Sequence, residues 1–256
     1  MCGPGRGSSC LPNSYAFEGS DYNFDAEFAQ DSLAARARLR LKNSVHRQAL
    51  HAADAVYTPT RWQYSQFPAA YKHKISVIFD GIDTALVAPK QQARIHLKRD
   101  NLTLTAADEV ITFVNRNLEP YRGFHVFMRA LPEILKQRPK AHYQDYLSVI
   151  QNSSCHVYLT YPFVLSWSCL EVLSAGRVVV ASNTGPVQEV IEHGVNGLLF
   201  DFFDAAALST QVIDVLAQPE NYRDLGRRAR ETVLERYDLK SKCLPQQLEL
   251  IGGTRL

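Results

Sequence analysis

From residue 110 onward the sequence alternates between short apolar, β-branched runs and longer stretches of helical period. That alternation constrains the fold more than any other feature. Residues 110–114 read as a strand. Residues 123–136 place Phe124, Phe127, Met128, Leu131, Ile134 and Leu135 at helical spacing, and Pro132 inside them predicts a kink or a new start. Residues 155–160 form the next predicted strand and 167–175 a short helix. Residues 178–181 are a run of the kind buried on both faces. Pro186 stands at a first helical position and Gly194 at a helix stop. A strand is expected at 197–201, and helices over 204–217 and 220–236. This order predicts an α/β fold, a Rossmann-like parallel sheet flanked by helices. Ligands of such sheets sit at the carboxyl ends of the strands. The loops 115–123, 161–169 and 182–187 are therefore where chemistry is expected.

The upstream third is less regular. Residues 1–30 lack a periodic pattern. Gly3, Gly5 and Gly7 follow no strand and are interrupted by Pro4, so a flexible end is expected rather than a phosphate loop. Asp31 or Ser32 can cap a helix running to about residue 53. It carries Leu33, Ala37, Leu41, Val45, Ala49 and Ala52 on one face. Arg36, Arg38, Arg40, Lys42 and Arg47 decorate the rest and read as a solvated face; the alternative is an acceptor- or lipid-facing basic surface. Short strands are expected at 55–58 and 75–79, the second ending at the Asp80-Gly81 turn. Residues 84–106 are polar and suit a linker, which divides the chain into 1–84 and 85–256.

Composition excludes several classes. With 28 Lys and Arg against 26 Asp and Glu, the net charge is +2, too small to suggest nucleic acid as a partner. No run approaches the roughly 20 apolar residues of a membrane span, and no signal-peptide core opens the chain. Cys2, Cys10, Cys155, Cys169 and Cys243 are odd in number and lack C-x-x-C spacing. That argues against a disulfide framework and a zinc site, and for a cytoplasmic home.

Three loops carry the candidate chemistry. In the first, Arg116 and Arg122 straddle a strand-to-helix turn, and both guanidinium groups suit phosphate oxygens. Gly123 permits close backbone approach at the start of a helix. They form either a diphosphate clamp or two surface arginines. The second loop, 161–171, places Ser166, Ser168 and Glu171 at the opening of a helix. A carboxylate there can hold a vicinal diol, as in ribose binding, or act as a dipole partner. The third, 182–189, centres on Gly185 and offers either free amides to an anion or a tight turn. Asp80, Asp83, Asp201 and Asp204 are better explained as turns and caps than as cation ligands. The eight histidines lack ligand spacing.

Taken together these stretches resemble the C-terminal half of glycosyltransferase family 4, of the GT-B fold. The resemblance runs through Ile111-Thr112-Phe113-Val114-Asn115-Arg116, Tyr121-Arg122-Gly123-Phe124 and Ser168-Cys169-Leu170-Glu171-Val172-Leu173-Ser174-Ala175-Gly176. It continues through Val178–Ser182 and Gly185–Ile191 to Gly194–Phe200, and upstream Ser76–Thr84 is similar to the family's interdomain crossover. It implies sugar transfer from a nucleotide-diphosphate donor to a glycan or lipid-linked acceptor, with retention and without a bound cofactor or metal. It implies peripheral membrane contact as a further option. Arg116 and Arg122 would contact the diphosphate, with Arg122 standing where lysine is commoner, and Glu171 would hold the ribose. The family's other motif glutamate would fall at Phe163, leaving Ser166 or Ser168 to make its contact. Residues 1–84 would be a remnant of the acceptor-side domain, and 85–256 the donor domain, apparently truncated. After His142 the sequence skips an expected strand, glycine-rich loop, helix and strand, which predicts a sheet missing inner strands. The competing expectation is a non-catalytic or degraded homologue keeping at most a partial nucleotide pocket.

Overall fold

The computed structural model describes residues 24–29, 32–90, 93–97, 101–105, 107–115, 118–144 and 147–253. The first helix, α1 (Leu33–Ala52), is capped by Ser32, whose hydroxyl accepts the Ala35 N–H at 3.1 Å. It leads into β1 (Val56–Thr58), α2 (Arg61–Gln66) and β2 (Ile75–Val77), which pairs parallel with β1 in the register Val56↔Ile75. A small core of Leu50, Val56, Phe67 and Ile75 holds this lobe together. That core corrects the expectation for α1. The helix is anchored through Leu50, and at 100° per residue the positions sharing that side are Asn43 and His46, which are buried. The predicted apolar face is turned outward instead, with Leu33, Leu41 and Val45 exposed.

The expected linker is also corrected. Within it β3 (Ile95–Leu97) and β4 (Leu102–Leu104) form an antiparallel hairpin, with Ile95 opposite Leu104. Ile95 and Leu104 are buried against Val110. Apolar and polar residues alternate in both strands, so only one side needs a core.

The main sheet follows. Its strands are β5 (Val110–Thr112), β6 (His142–Gln144), β7 (Cys155–Tyr158), β8 (Val179–Ser182) and β9 (Leu198–Phe200). All neighbours pair parallel, in the order β6-β5-β7-β8-β9. The strands form one continuous sheet, so the expected loss of inner strands is not found. His142–Gln144 is itself a strand, at the edge beside β5, and a 3-10 turn at Leu147–Asn152 carries the chain straight to β7.

Helices cover both faces. On one side α3 (Phe124–Gln137) and α6 (Ala205–Ala217) pack Phe127, Ile134, Leu208 and Val212 against Ile111, Val157 and Val180. On the other, α4 (Trp167–Ser174) and α7 (Arg223–Arg236) pack Leu170, Leu173, Ala229 and Val233 against Tyr158, Val179 and Ala181. The odd and even residues of β8 thus feed opposite cores, and each fully buried large side chain contributes about 1.5–3 kcal/mol. Pro132 does not start a new helix; α3 runs unbroken through it. The helix expected from Pro186 to Gly194 is a single turn, α5 (Gly185–Gln188).

The carboxyl-terminal end of the chain returns to the first lobe. Ile82 donates to the Tyr237 carbonyl at 2.9 Å and accepts from the Leu239 N–H at 2.8 Å. The last described helix, α8 (Leu244–Gly253), sends the Gln247 side-chain amide to the Phe79 carbonyl at 3.0 Å. No helix among the described residues is long and apolar enough to cross a membrane.

Candidate functional site

Loops at the carboxyl ends of β5 and β7 meet. The Tyr161 N–H donates to the Tyr121 carbonyl at 2.9 Å, and the two rings lie 4.9 Å apart. Gly123 caps α3 with φ +65°, in the left-handed region. A Cβ at Gly123 would lie 2.4 Å from Leu159 Cβ, so only glycine lets the first loop close onto the second.

That closure sets Arg122. Its guanidinium lies over the Phe163 ring at 5.1 Å, and its Nη1 is buried without a hydrogen-bond partner. Phe163, which offers no hydrogen bond where the resemblance would place a carboxylate, instead supports the cation from below. The Arg122 charge also acts on the buried Tyr158 phenol. Burial pushes that phenol upward, so it stays protonated. The Tyr158 hydroxyl accepts the Ser166 N–H at 2.8 Å, and the Ser166 and Ser168 hydroxyls bond one another at 2.7 Å. Arg122, Phe163, Tyr158, Ser166 and Ser168 therefore form one neighbourhood.

Glu171 lies three residues after Ser168, on the same face of α4. It is half-buried, and desolvation alone raises its carboxyl above the usual carboxylate range. No ion pair neutralises it among the described residues. Arg116 lies outside the described residues.

Of its two expected forms, an open anion nest or a tight turn, the third loop takes the tight turn. A Cβ at Gly185 would lie 2.3 Å from the Trp62 ring, so the indole covers the turn. Glu189, just beyond, accepts the Arg61 and Trp62 N–H groups at 2.8 and 2.5 Å, satisfying the amino end of α2. Gly185 thus joins the two lobes.

The acidic turn residues behave as caps. Asp83 accepts from the Ala85 and Leu86 amides, Asp201 from Phe203 and Asp204 from Ala207. Asp80 accepts the Trp167 indole N–H at 2.9 Å.

Sequence reasoning missed a second constellation at this end of the sheet. Residues Phe24 to Phe28 lie across α3 and the loops after β7 and β9. Phe24 contacts Tyr161, Phe202 and Phe203 at 5.0–5.3 Å, and Phe28 contacts His125 at 4.8 Å. Asp25 is 4% exposed, with Oδ2 3.0 Å from His125 Nε2, and Glu27 pairs with Arg129 at 2.7 Å. Asp25, Glu27 and His125 are close enough to share a cation. Arg129 already neutralises Glu27, and desolvation lowers the His125 imidazole despite the Asp25 charge. The cluster is accounted for as the fastening of this segment. Nothing local in Phe-Asp-Ala-Glu-Phe announces so distant a contact.

A groove of about 610 Å³ runs between α3 and α6, lined by Glu133, His193, Thr210 and Asp214 among others. None of the expected site residues lines it, so the assembly above, with its unpaired buried groups, is the better functional candidate.

Two family models match the chain: "Glycosyl transferase family 4 group" over residues 13–87 and "Glycosyl transferases group 1" over 141–232. A GDP-mannose-dependent α-(1-6)-phosphatidylinositol monomannoside mannosyltransferase of Mycolicibacterium smegmatis is 24% identical over 245 residues. That alignment covers 79% of this chain and 63% of the relative. The N-acetyl-α-D-glucosaminyl L-malate synthase of Bacillus anthracis is 34% identical over 82 residues, 32% of this chain and 21% of that one. Against these curated relatives the chain spans less than two thirds of their length. Among solved structures, Anabaena HepE in complex with UDP and glucose superposes with a TM-score of 0.70 at 17% identity. It covers 88% of this chain and 69% of that one. Sucrose-phosphate synthase from Thermosynechococcus elongatus gives 0.68 at 18% identity, covering 91% and 67%. These structural likenesses establish the fold.

Proposed function

The chain belongs to glycosyltransferase family 4, of the GT-B fold, and on that premise we propose that it binds a nucleotide-diphosphate sugar at the carboxyl ends of β5 and β7 and transfers the sugar to a glycan or lipid-linked acceptor. One observation carries the reading: the Arg122 guanidinium is held on an aromatic ring with a buried nitrogen that no group among the described residues satisfies. Such a group is costly unless a ligand anion completes it, and a diphosphate offers oxygens in the matching fork geometry. In the transfer step the bond between the sugar and the diphosphate breaks. Arg122 and the start of α3 then stabilise the negative charge on the leaving group, a role that calls for no bound metal. Glu171, desolvated and unpaired, suits the ribose diol. Ser166 and Ser168 are the hydroxyls available to the donor beside it. Arg116 remains part of the proposed diphosphate contact.

The relatives differ in their donors: one is named for GDP-mannose, and one structure holds UDP. Both bases therefore belong in the assay. Cys155, Cys169 and Cys243 are buried free thiols, which fits the reducing cytoplasm where nucleotide sugars are made.

The test is release of nucleoside diphosphate from UDP- and GDP-sugars, with acceptor extract present. We expect release by the wild type and a loss of at least tenfold in Arg122→Ala and Glu171→Gln. A second reading, donor binding without turnover, is favoured by Phe163 and by the Trp62 indole over Gly185. Binding without release would select it, and equal release by all variants would refute the site.

A further inference from the structure

The segment upstream of α1 begins a continuous path of ring contacts that leads to Arg122. Phe24 packs on Tyr161 at 5.0 Å, Tyr161 on Tyr121 at 4.9 Å and Tyr121 on Phe163 at 5.6 Å. Phe163 in turn lies under the Arg122 guanidinium at 5.1 Å. Rings at these separations attract one another beyond the area they bury. Phe24 also stacks on Phe203 and meets Phe202 edge-on, both at 5.3 Å. One side chain thus touches the loops after β7 and β9, and the path continues to the loop after β5. The segment is fastened where it starts. Asp25 Oδ1 accepts the Glu27 N–H at 3.0 Å, and the Phe28 N–H closes a turn on the Asp25 carbonyl at 3.2 Å. That turn sets Asp25 Oδ2 3.0 Å from His125 Nε2 and pairs Glu27 with Arg129 at 2.7 Å, both partners on α3. A carboxylate as buried as Asp25 is costly unless fixed partners hold it, so the segment has one seat on α3, and that seat places Phe24.

We propose that Phe24 is a positioning residue for the donor site: through Tyr161 and Tyr121 it holds Phe163 beneath Arg122 and keeps the guanidinium placed for a diphosphate. The inference rests on the donor site proposed above and adds a determinant from outside the three loops. The path is made of packed rings, and packed rings move together rather than singly. Loss of the Phe24 ring frees Tyr161 on the side away from Tyr121. The Tyr161 N–H bonds the Tyr121 carbonyl, so the loops after β5 and β7 loosen as one. Burial, and after it the Asp25 carboxylate, push the Tyr161 phenol upward, so the ring that receives Phe24 stays neutral beside the buried carboxylate that fastens the segment.

The experiment compares three variants of the full chain. Phe24→Leu keeps apolar volume and removes the ring, and Phe24→Tyr keeps the ring. Gly194→Ala lowers stability at a turn where a Cβ meets nothing within 4 Å. Two quantities are read: calorimetric affinity for UDP and GDP, and hydrogen exchange of the amides of residues 118–123 and 161–165. Phe24→Leu should bind the preferred nucleotide about two- to tenfold more weakly, the worth of one ring pair. Its loop amides should exchange faster by the same factor. Phe24→Tyr should match the wild type in both readouts, and Gly194→Ala should lower the melting temperature while changing neither. Unchanged loop exchange in Phe24→Leu overturns the proposal, because the rings then do not hold the loops. Faster exchange with unchanged affinity overturns it by leaving Phe24 a purely structural role, and tighter binding overturns it by making the segment an obstruction. An equal loss of affinity in Gly194→Ala would reduce the effect to general stability and also overturn it. A wild type that binds neither nucleotide refutes the donor site, and the positioning role falls with it; the exchange comparison, still readable, tells that failure apart from a failure of the ring path.

Discussion

Replacing Gly123 by alanine tests how the first two loops are brought together. Gly123 has φ +65°, and a Cβ there would lie 2.4 Å from Leu159 Cβ and 2.9 Å from its Cδ1. Leu159 is fully buried. Its Cβ is fixed to the backbone, so rotation of the side chain cannot relieve the closest contact. Two costs add: about 1–2 kcal/mol for an L-residue in the left-handed region, and about 1–3 kcal/mol for overpacking a filled core. Gly194 supplies the control. Its φ is +75°, and nothing lies within 4 Å of a Cβ built on it, so Gly194→Ala should show the conformational cost alone. Urea unfolding of both variants should give a total loss of about 2–5 kcal/mol for Gly123→Ala and about 1–2 for Gly194→Ala. In thermal melts the gap between them becomes roughly 3–9 °C. Gly123→Ala should also weaken nucleotide binding, because Arg122 immediately precedes it and moves with the loop. If the two variants lose the same stability within about 0.5 kcal/mol, Leu159 does not fill the space beside Gly123, and the account of loop closure fails.

Other consequences are open to direct measurement. Phe163→Leu removes the ring beneath Arg122 and should lower nucleotide affinity between about twofold and 30-fold by calorimetry; unchanged affinity would remove Phe163 from the site. Burial holds the His156 imidazole down at about 3, against about 6.5 when unfolded. Below pH 6.5 the unfolded chain therefore binds a proton that the folded chain refuses. Stability should fall toward pH 3, with this group contributing up to about 1.4 kcal/mol per pH unit, and urea midpoints for His156→Gln should lack that component. Glu189→Ala removes the acceptor of two amide protons at the start of α2. It should cost about 1–2 kcal/mol, with Glu189→Gln milder; equal midpoints for wild type and both variants would show that this link between the lobes carries no stability.

Much of the fold from residue 110 onward was legible because its signals are local. Apolar runs such as Val178–Ala181 mark a strand buried on both faces, and helical spacing in 124–135 marks α3. Asp204 marks the start of α6, whose cap it supplies to the Ala207 amide. Within the first loop, the closure was legible at Gly123, whose residue type suits the left-handed turn it makes, while residue type alone left Arg122 as either a diphosphate contact or a surface arginine. What escaped depends on residues distant in sequence. The stripe on α1 was legible as a stripe, but its direction was not. Periodicity cannot say which side faces the body when Leu50 does the anchoring and Asn43 and His46 follow it inward. Gly185 looks like an open turn until Trp62, from the other lobe, is placed on it. The hairpin at 95–104 has only three residues per strand, too short for its alternation to stand out from a polar stretch. Phe163 illustrates the limit of motif matching: the lost carboxylate looked like a lost contact, whereas the ring lies under the Arg122 guanidinium.

The most direct measurement is thermal unfolding of the purified chain, alone and with millimolar UDP, GDP and their sugar conjugates, beside Arg122→Ala. Saturation to about 100 times the dissociation constant adds about 2.7 kcal/mol, roughly 5–10 °C for a chain of this size. The proposed site predicts one cooperative transition, raised by one of the nucleotides in the wild type and unmoved in Arg122→Ala. A cooperative transition that no nucleotide shifts would contradict it.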